Sequence, residues 1–435
     1  MDSALKREIG LGGAIMMGMG SIIGTGVFVS LGIAAGVTGP SMILALIVAA
    51  LLATANGLSA AQLAAHLPVS GGTYEYGYRL IHPTLGFTAG WMFLCAKSAS
   101  AATAALGFAG YTLNLLDQQG SSYRIPLAVS CVLVLTLVVY SGIQRSNRLN
   151  LVTVSVTLLS LTAFVLGGIP LAARNLAGNL TPFFLTEDPA IATRGFLEAC
   201  ALLFVAYTGY GRITTMGEEV VEPRTTIPRA IILTLAVSSL LYVCVAVVSI
   251  GSVGANAMAA ATAGQMAPLE VIARRFDIPG IAPFVALGAV TAMLGVLLNL
   301  ILGLSRVMMA MSRRGDLPGS LARVDPKTGT PQFAVLTMGG IVALLALTGN
   351  VKTTWSFSAF AVLIYYALTH LAALRLPSES RRFPQVIAWA GLLGCLSLAF
   401  WVEPQAWIMG LICLAGGLAL RALFRRLSTR AGSES

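Results

Sequence analysis

Two short stretches break an otherwise apolar chain with glycines and hydroxyls at a spacing that could bind a small charged molecule. The first is Gly18-Met-Gly-Ser-Ile-Ile-Gly-Thr-Gly-Val-Phe28, and the second is Phe204-Val-Ala-Tyr-Thr-Gly-Tyr-Gly211. Each falls near the middle of a long apolar run. A helix interrupted there offers backbone N–H groups to an anion and freed carbonyls to a cation, without a charged side chain being buried. Glycines in membrane helices also serve close packing. Two clusters at corresponding positions, each with a hydroxyl residue, favour the binding role. Lys97 is the third feature, in Trp91-Met-Phe-Leu-Cys-Ala-Lys97-Ser-Ala-Ser100, because a cation deep in an apolar span is a functional hypothesis by default.

Such groups need elements that cross an apolar medium. The chain has 435 residues, 57% hydrophobic and 10% charged, with mean hydropathy +0.84. A soluble domain carries about 25% charged residues, so the composition predicts an integral membrane protein. At about 20 residues per crossing, twelve stretches of spanning length begin near Leu11, Pro40, Leu85, Pro126, Leu149, Phe196, Ala230, Ile281, Phe333, Trp355, Pro384 and Trp407. They are continuously apolar, which predicts helices; a barrel would alternate every second residue. With the N-terminus inside, the inner loops and tails carry 18 of the 27 Lys and Arg and the outer loops 6. That bias places both termini in the cytoplasm. Arg306 then stands at a helix end, while Lys97 and Arg212 fall within the membrane. The net charge of +10 is spread over seven inner segments, which argues against a nucleic-acid partner. The six cysteines, in apolar runs without metal-site spacing, predict buried thiols. No small-residue cleavage site follows the polar start, so no removable signal is expected.

The interrupted spans are the first and the sixth, the relation expected of a five-plus-five inverted repeat. The predicted organisation is a tail over 1–10, repeats over 11–173 and 174–375, two peripheral helices over 376–424 and a tail over 425–435.

These residues resemble the amino acid–polyamine–organocation transporters over nearly the whole chain. Gly20-Ser-Ile-Ile-Gly-Thr-Gly-Val-Phe28 is similar to that family's first-helix signature, and Pro68-Val-Ser-Gly-Gly-Thr-Tyr-Glu-Tyr76 to its loop between helices 2 and 3. Ala206-Tyr-Thr-Gly-Tyr210 with Glu218-Glu219, Pro223-Arg224 and Ile227-Pro-Arg-Ala-Ile231 is similar to its sixth helix and following loop. Ser305-Arg306 with Arg314-Gly-Asp-Leu-Pro318 matches the inner end of its eighth. The resemblance implies an all-α, LeuT-like fold of twelve transmembrane helices, discontinuous at helices 1 and 6, that moves amino acids by alternating access. It places a substrate carboxylate at Gly24, Thr25 and Gly26 and the amine at the carbonyls of Ile22, Val205, Ala206 and Thr208. The family often has an aromatic gate where this chain has Val205, so Phe204, Tyr207 or Tyr210 would take that role or the gate is looser. The apolar wall favours a small neutral amino acid over a cationic amino acid or polyamine.

Many proton-coupled members have a lysine in helix 5, where this chain has Thr157. Lys97 would hold a coupling charge in its place; bridging of carbonyls or hydroxyls such as Ser98 and Ser100, or a shallower depth, would also account for it. Glu198 fits a solvated helix end or a gate. Arg212 would close the inner path against Glu8 or Glu218, or line the inner vestibule. With Glu75, Glu218, Glu219 and Arg306 it forms the expected inner charge network, one that differs between conformations. His66, His82 and Asp316 look like unpartnered loop residues. An ion site would use the Gly20 and Ile23 carbonyls with the Thr291 hydroxyl. One hydroxyl is thin for sodium, which ranks below proton coupling or exchange. A channel would need polar residues along several spans, and a membrane enzyme a metal cluster, Ser/His pair or acidic dyad; neither pattern is found. No cofactor or metal is expected.

Overall fold

The computed structural model describes residues 9–67, 71–118, 122–142, 147–214 and 220–433. Among them the chain is helical throughout its regular structure, apart from one isolated bridge between Ile9 and Val220. In chain order the helices are α1 (Leu11–Ile22), a π-helical turn (Gly26–Ser30), α2 (Leu31–Thr38), α3 (Met42–His66), α4 (Thr73–Leu80), α5 (Pro83–Leu115), α6 (Arg124–Tyr140) and α7 (Asn147–Asn179). They continue with α8 (Pro189–Ala206), α9 (Gly211–Thr214), α10 (Pro223–Gln265), α11 (Pro268–Ala273), α12 (Ile281–Arg313), α13 (Gln332–Ala346), α14 (Val351–Leu374), α15 (Gln385–Ala399) and α16 (Pro404–Ser433).

Among the described residues eight segments are long and apolar enough to cross a membrane, and the first of them, Leu11–His66, runs from α1 through α3. The apolar helices α6, α13 and α15 are shorter, at 15 to 17 residues. At 1.5 Å per residue they reach about 22–26 Å, less than the usual hydrocarbon thickness. Local chemistry sets several boundaries. Asp188 caps α8 by accepting from the N–H groups of Ala190 (2.8 Å) and Ile191 (3.4 Å), ahead of Pro189 in the first turn. Asn350 caps α14 in the same way, and the His82 ring accepts from Thr84 N–H at the start of α5. His82 therefore has a partner. Gly254 interrupts α10 at φ 79°, a conformation only glycine adopts at little cost.

α5 is the hub. It packs on α14, α12, α4, α6, α13 and α16, and 83% of its most apolar stretch is inside the protein against 17% for α16. The small-residue run Ser98–Ala105 allows this closeness, and Gly107 faces the Met293 sulfur at a distance that leaves no room for a Cβ. Such close approach is how helices gain contact where lipid supplies no hydrophobic drive. Three cysteines, Cys131, Cys200 and Cys395, are buried as expected; Cys95, Cys244 and Cys413 are only partly so.

Each end of the bundle is tied by polar contacts. At the α11 end, Glu270 accepts from Asn114 (2.5 Å) and Arg274 (2.9 Å), and Arg274 reaches Asp117 at the end of α5. Burial pushes the Glu270 carboxyl up, and Asn114 and Arg274 pull it back. Tyr111 donates to the Phe28 carbonyl (2.8 Å) and accepts from Leu269 N–H (3.2 Å), which joins α5, the π-helical turn and α11.

At the α4 end, Glu75 holds Arg314 through two bonds (2.6 and 3.0 Å) and Arg79 (3.3 Å). Asp316, expected as an unpartnered loop residue, is instead fully buried. It pairs with Arg421 of α16 (2.8 Å) and accepts from the hydroxyls of Tyr74 and Tyr78. Arg421 also donates to the Pro83 carbonyl (3.0 Å). Removing one partner of a buried ion pair costs about 3–5 kcal/mol because the other charge is left uncompensated. Asp316→Ala should therefore lower the melting temperature of the detergent-solubilised protein clearly, and Asp316→Leu combined with Arg421→Leu should recover most of the loss.

Candidate functional site

Both glycine-rich stretches unwind. α1 stops at Ile22, Ile23 is extended (φ −79°, ψ 108°), and the chain becomes helical again at Thr25 before the π-helical turn. π-turns of this kind are rare and concentrate at functional sites. α8 ends at Ala206, and a 3-10 turn over Thr208–Tyr210 leads into α9.

The two breaks lie directly against each other. A Cβ added at Gly209 would sit 2.1 Å from the Ser21 carbonyl oxygen, and one at Gly26 would sit 2.7 Å from the Ala206 Cβ. Glycine here both permits the unwinding and allows the contact. Thr25 is buried, and its hydroxyl has no hydrogen-bond partner among the described residues. A buried hydroxyl in that condition costs free energy.

The carbonyls at the breaks carry internal donors. The Tyr242 hydroxyl of α10 donates to Ile22 O (2.8 Å) and lies 3.5 Å from Ala206 O. Tyr366 of α14 donates to Thr208 O (3.0 Å), and the Thr208 hydroxyl donates to Val205 O (2.8 Å). Neither tyrosine stood out in the sequence. The available signal was a phenol placed among aliphatic residues, since a buried tyrosine hydroxyl usually has a partner. The gate candidates pack on these rings: Phe204 edge-on to Tyr366 (5.7 Å), Tyr210 stacked on it (5.9 Å), and Tyr207 against Tyr242 (5.3 Å).

Lys97 is 8% exposed, and its ammonium donates to the Thr208 hydroxyl (2.8 Å). It is thus enclosed by protein, and its partner is on the second break, not the Ser98 or Ser100 of its own helix. Ser100 instead pairs with Ser358 of α14 (2.7 Å). Glu198 is buried in α8, and one of its carboxyl oxygens has no partner among the described residues.

A small cavity, with room for about one water molecule, lies between α1, α7 and α12. Gly20 and Ile23, the two carbonyl residues named for an ion site, are among its lining residues. Its hydroxyl residues are Thr153 and Thr157 of α7. Thr291 does not line it, because its hydroxyl bonds back to Leu287 O (2.9 Å) and Gly288 O (3.1 Å) of its own helix.

Of the expected inner charge network, Glu75 is engaged by Arg314 and Arg79, whereas Arg306 is exposed and has no ion pair among the described residues. Glu8, Glu218, Glu219 and the side chain of Arg212 lie outside the described residues.

Comparison with known proteins adds to this geometry. The family model described as amino acid permease matches residues 13–402. An uncharacterized transporter of Mycobacterium tuberculosis is 39% identical over 427 residues, covering 98% of this chain and 93% of the relative. A branched-chain amino acid permease of Bacillus subtilis is 28% identical, with 98% and 94% covered. A vacuolar cationic amino acid transporter of Arabidopsis thaliana is 25% identical, with 83% and 63% covered.

The contact between the breaks gives a direct test. Overpacking costs about 1–3 kcal/mol or more, and a backbone oxygen cannot swing aside as a side chain does. Gly209→Ala should lower the melting temperature, while Gly319→Ala, with open space around it, should leave it unchanged.

Proposed function

The chain belongs to the amino acid permease family and is an integral, multi-pass membrane protein, and from that premise we propose that it carries a small neutral amino acid by alternating access. The observation that carries this is the meeting of two helix breaks with the Thr25 hydroxyl left unpartnered in the first. The cargo carboxylate binds the N–H groups of Gly24, Thr25 and Gly26 and the Thr25 hydroxyl. Its ammonium binds among the carbonyls of Ile22, Val205, Ala206 and Thr208, sharing or displacing the donors of Tyr242, Tyr366 and Thr208. Phe204, Tyr207 and Tyr210 form the gate. Backbone dipoles at two breaks thus serve both ends of a zwitterion.

The ammonium of Lys97 at the second break supports a neutral cargo over a cationic amino acid or polyamine, because a second buried cation there would meet like-charge repulsion. Proton coupling or exchange, with Lys97 as the coupling charge, ranks ahead of sodium. The arrangement proposed is twelve crossings in a five-plus-five repeat with two peripheral helices, both termini in the cytoplasm and the cell membrane as its location. The three-to-one bias of basic residues supports that orientation.

Uptake into proteoliposomes with labelled alanine, leucine, methionine, glutamate, arginine and putrescine tests this. Saturable uptake of a neutral amino acid is expected, with Thr25→Val raising its KM about tenfold or more, the scale of a lost hydrogen bond to a charged group. Saturable uptake of none of these compounds would refute the proposal.

A further inference from the structure

The hydrogen bonds at the second break form a relay. Lys97 Nζ donates to the Thr208 hydroxyl, which passes its own hydrogen to the Val205 carbonyl, each step 2.8 Å. A lysine ammonium has only donors, so while Lys97 is charged the Thr208 hydroxyl must accept from it and must point elsewhere. Val205 O is then occupied. A neutral amine has a lone pair, accepts the Thr208 hydrogen and releases Val205 O.

We propose that the Lys97 proton and the cargo ammonium exclude each other, so that the protein exchanges its amino acid against a proton. This rests on the zwitterion site described above and adds the sign of the coupling. As cargo arrives, Lys97–NH3+ becomes Lys97–NH2, the proton passes to water on the side from which cargo entered, and the cargo ammonium takes the Val205 carbonyl. One hydroxyl separates the two cations, and like charges this close disfavour joint occupancy.

The surroundings leave Lys97 without another counter-charge. On the described elements packed against α5, the acids are Glu75 of α4, held by Arg314 and Arg79, and Glu270 of α11, held by Asn114 and Arg274 at the bundle end. Glu198 of α8 lies about two turns before the break. The titratable groups near the relay are the phenols of Tyr207, Tyr210, Tyr242, Tyr365 and Tyr366, with Tyr242 committed to Ile22 O and Tyr366 to Thr208 O, and His370 of α14 is bonded to Ser59. The cations of neighbouring helices stand toward the bundle ends: Arg124 of α6, Arg306 and Arg313 of α12, Lys352 of α14 and Arg421 of α16.

The loaded site carries no net charge and the empty site carries one positive charge. Across a membrane with protons and positive potential outside, the proton enters on the empty leg, and cargo is driven outward.

The test uses the purified full chain in weak buffer at about pH 7, below the ordinary lysine range, with a pH-sensitive dye. Adding the neutral amino acid that the uptake panel shows to be carried should release close to one proton per cargo bound, and none from Lys97→Met. In wild-type proteoliposomes, an acid interior should raise steady-state uptake about tenfold per pH unit, and an acid exterior should depress it. Cargo binding with no proton release, or uptake driven by an acid exterior, overturns the proposal. Failure to bind any amino acid overturns the reading of the cargo, and this proposal with it.

Discussion

A peptide group released from a helix in an interior without water must find a partner within the protein, at a cost of several kcal/mol if it does not. The architecture around α1 and α8 follows from that constraint. Interrupting one helix would leave its freed groups stranded. Interrupting two and setting them together allows the remaining structure to serve both, and side chains from α10 and α14 do so. Tyr242 reaches carbonyls on both breaks, Tyr366 reaches one, and the Thr208 hydroxyl satisfies its own turn. The Thr25 hydroxyl stands outside this set of partners.

Bringing four elements to one place requires close helix approach. α14 in turn rests on α5, which carries alanines and serines where larger residues would hold its neighbours off. The glycines of the breaks do the same for each other, and those of α1 make room for Asn150 and Val154 of α7 and for Thr234 of α10. Replacing small residues with large ones would widen the spaces in which single hydroxyls now reach across.

The breaks were legible in the sequence because glycine and hydroxyl residues stand out against an aliphatic background, and the helical class because the runs are continuously apolar. What could not be read depended on helix rotation or on distant partners. Thr291 and Thr157 are both plausible hydroxyls by position. Only the packing of α12 against α7 decides which lines the cavity, and it is Thr157. Tyr242 and Tyr366 lie 220 and 158 positions from the carbonyls they serve, and a single chain carries no local mark of that pairing. Lys97 was recognisable as a buried charge, but its attachment to Thr208 was not. Asp316 is the same case: its counter-charge, Arg421, lies 105 residues further along the chain.

That pairing also has a bearing on biosynthesis. Arg421 follows Asp316 by 105 residues, which at about 5–20 residues per second is some five to twenty seconds of translation. During that interval Asp316 has the Tyr74 and Tyr78 hydroxyls but not its guanidinium. Helix α16, barely enclosed by the rest of the protein, is thus the element whose arrival neutralises an anion laid down much earlier. Until it docks, the α4 end of the bundle keeps an uncompensated carboxylate, a local feature that distinguishes an unfinished molecule from a finished one.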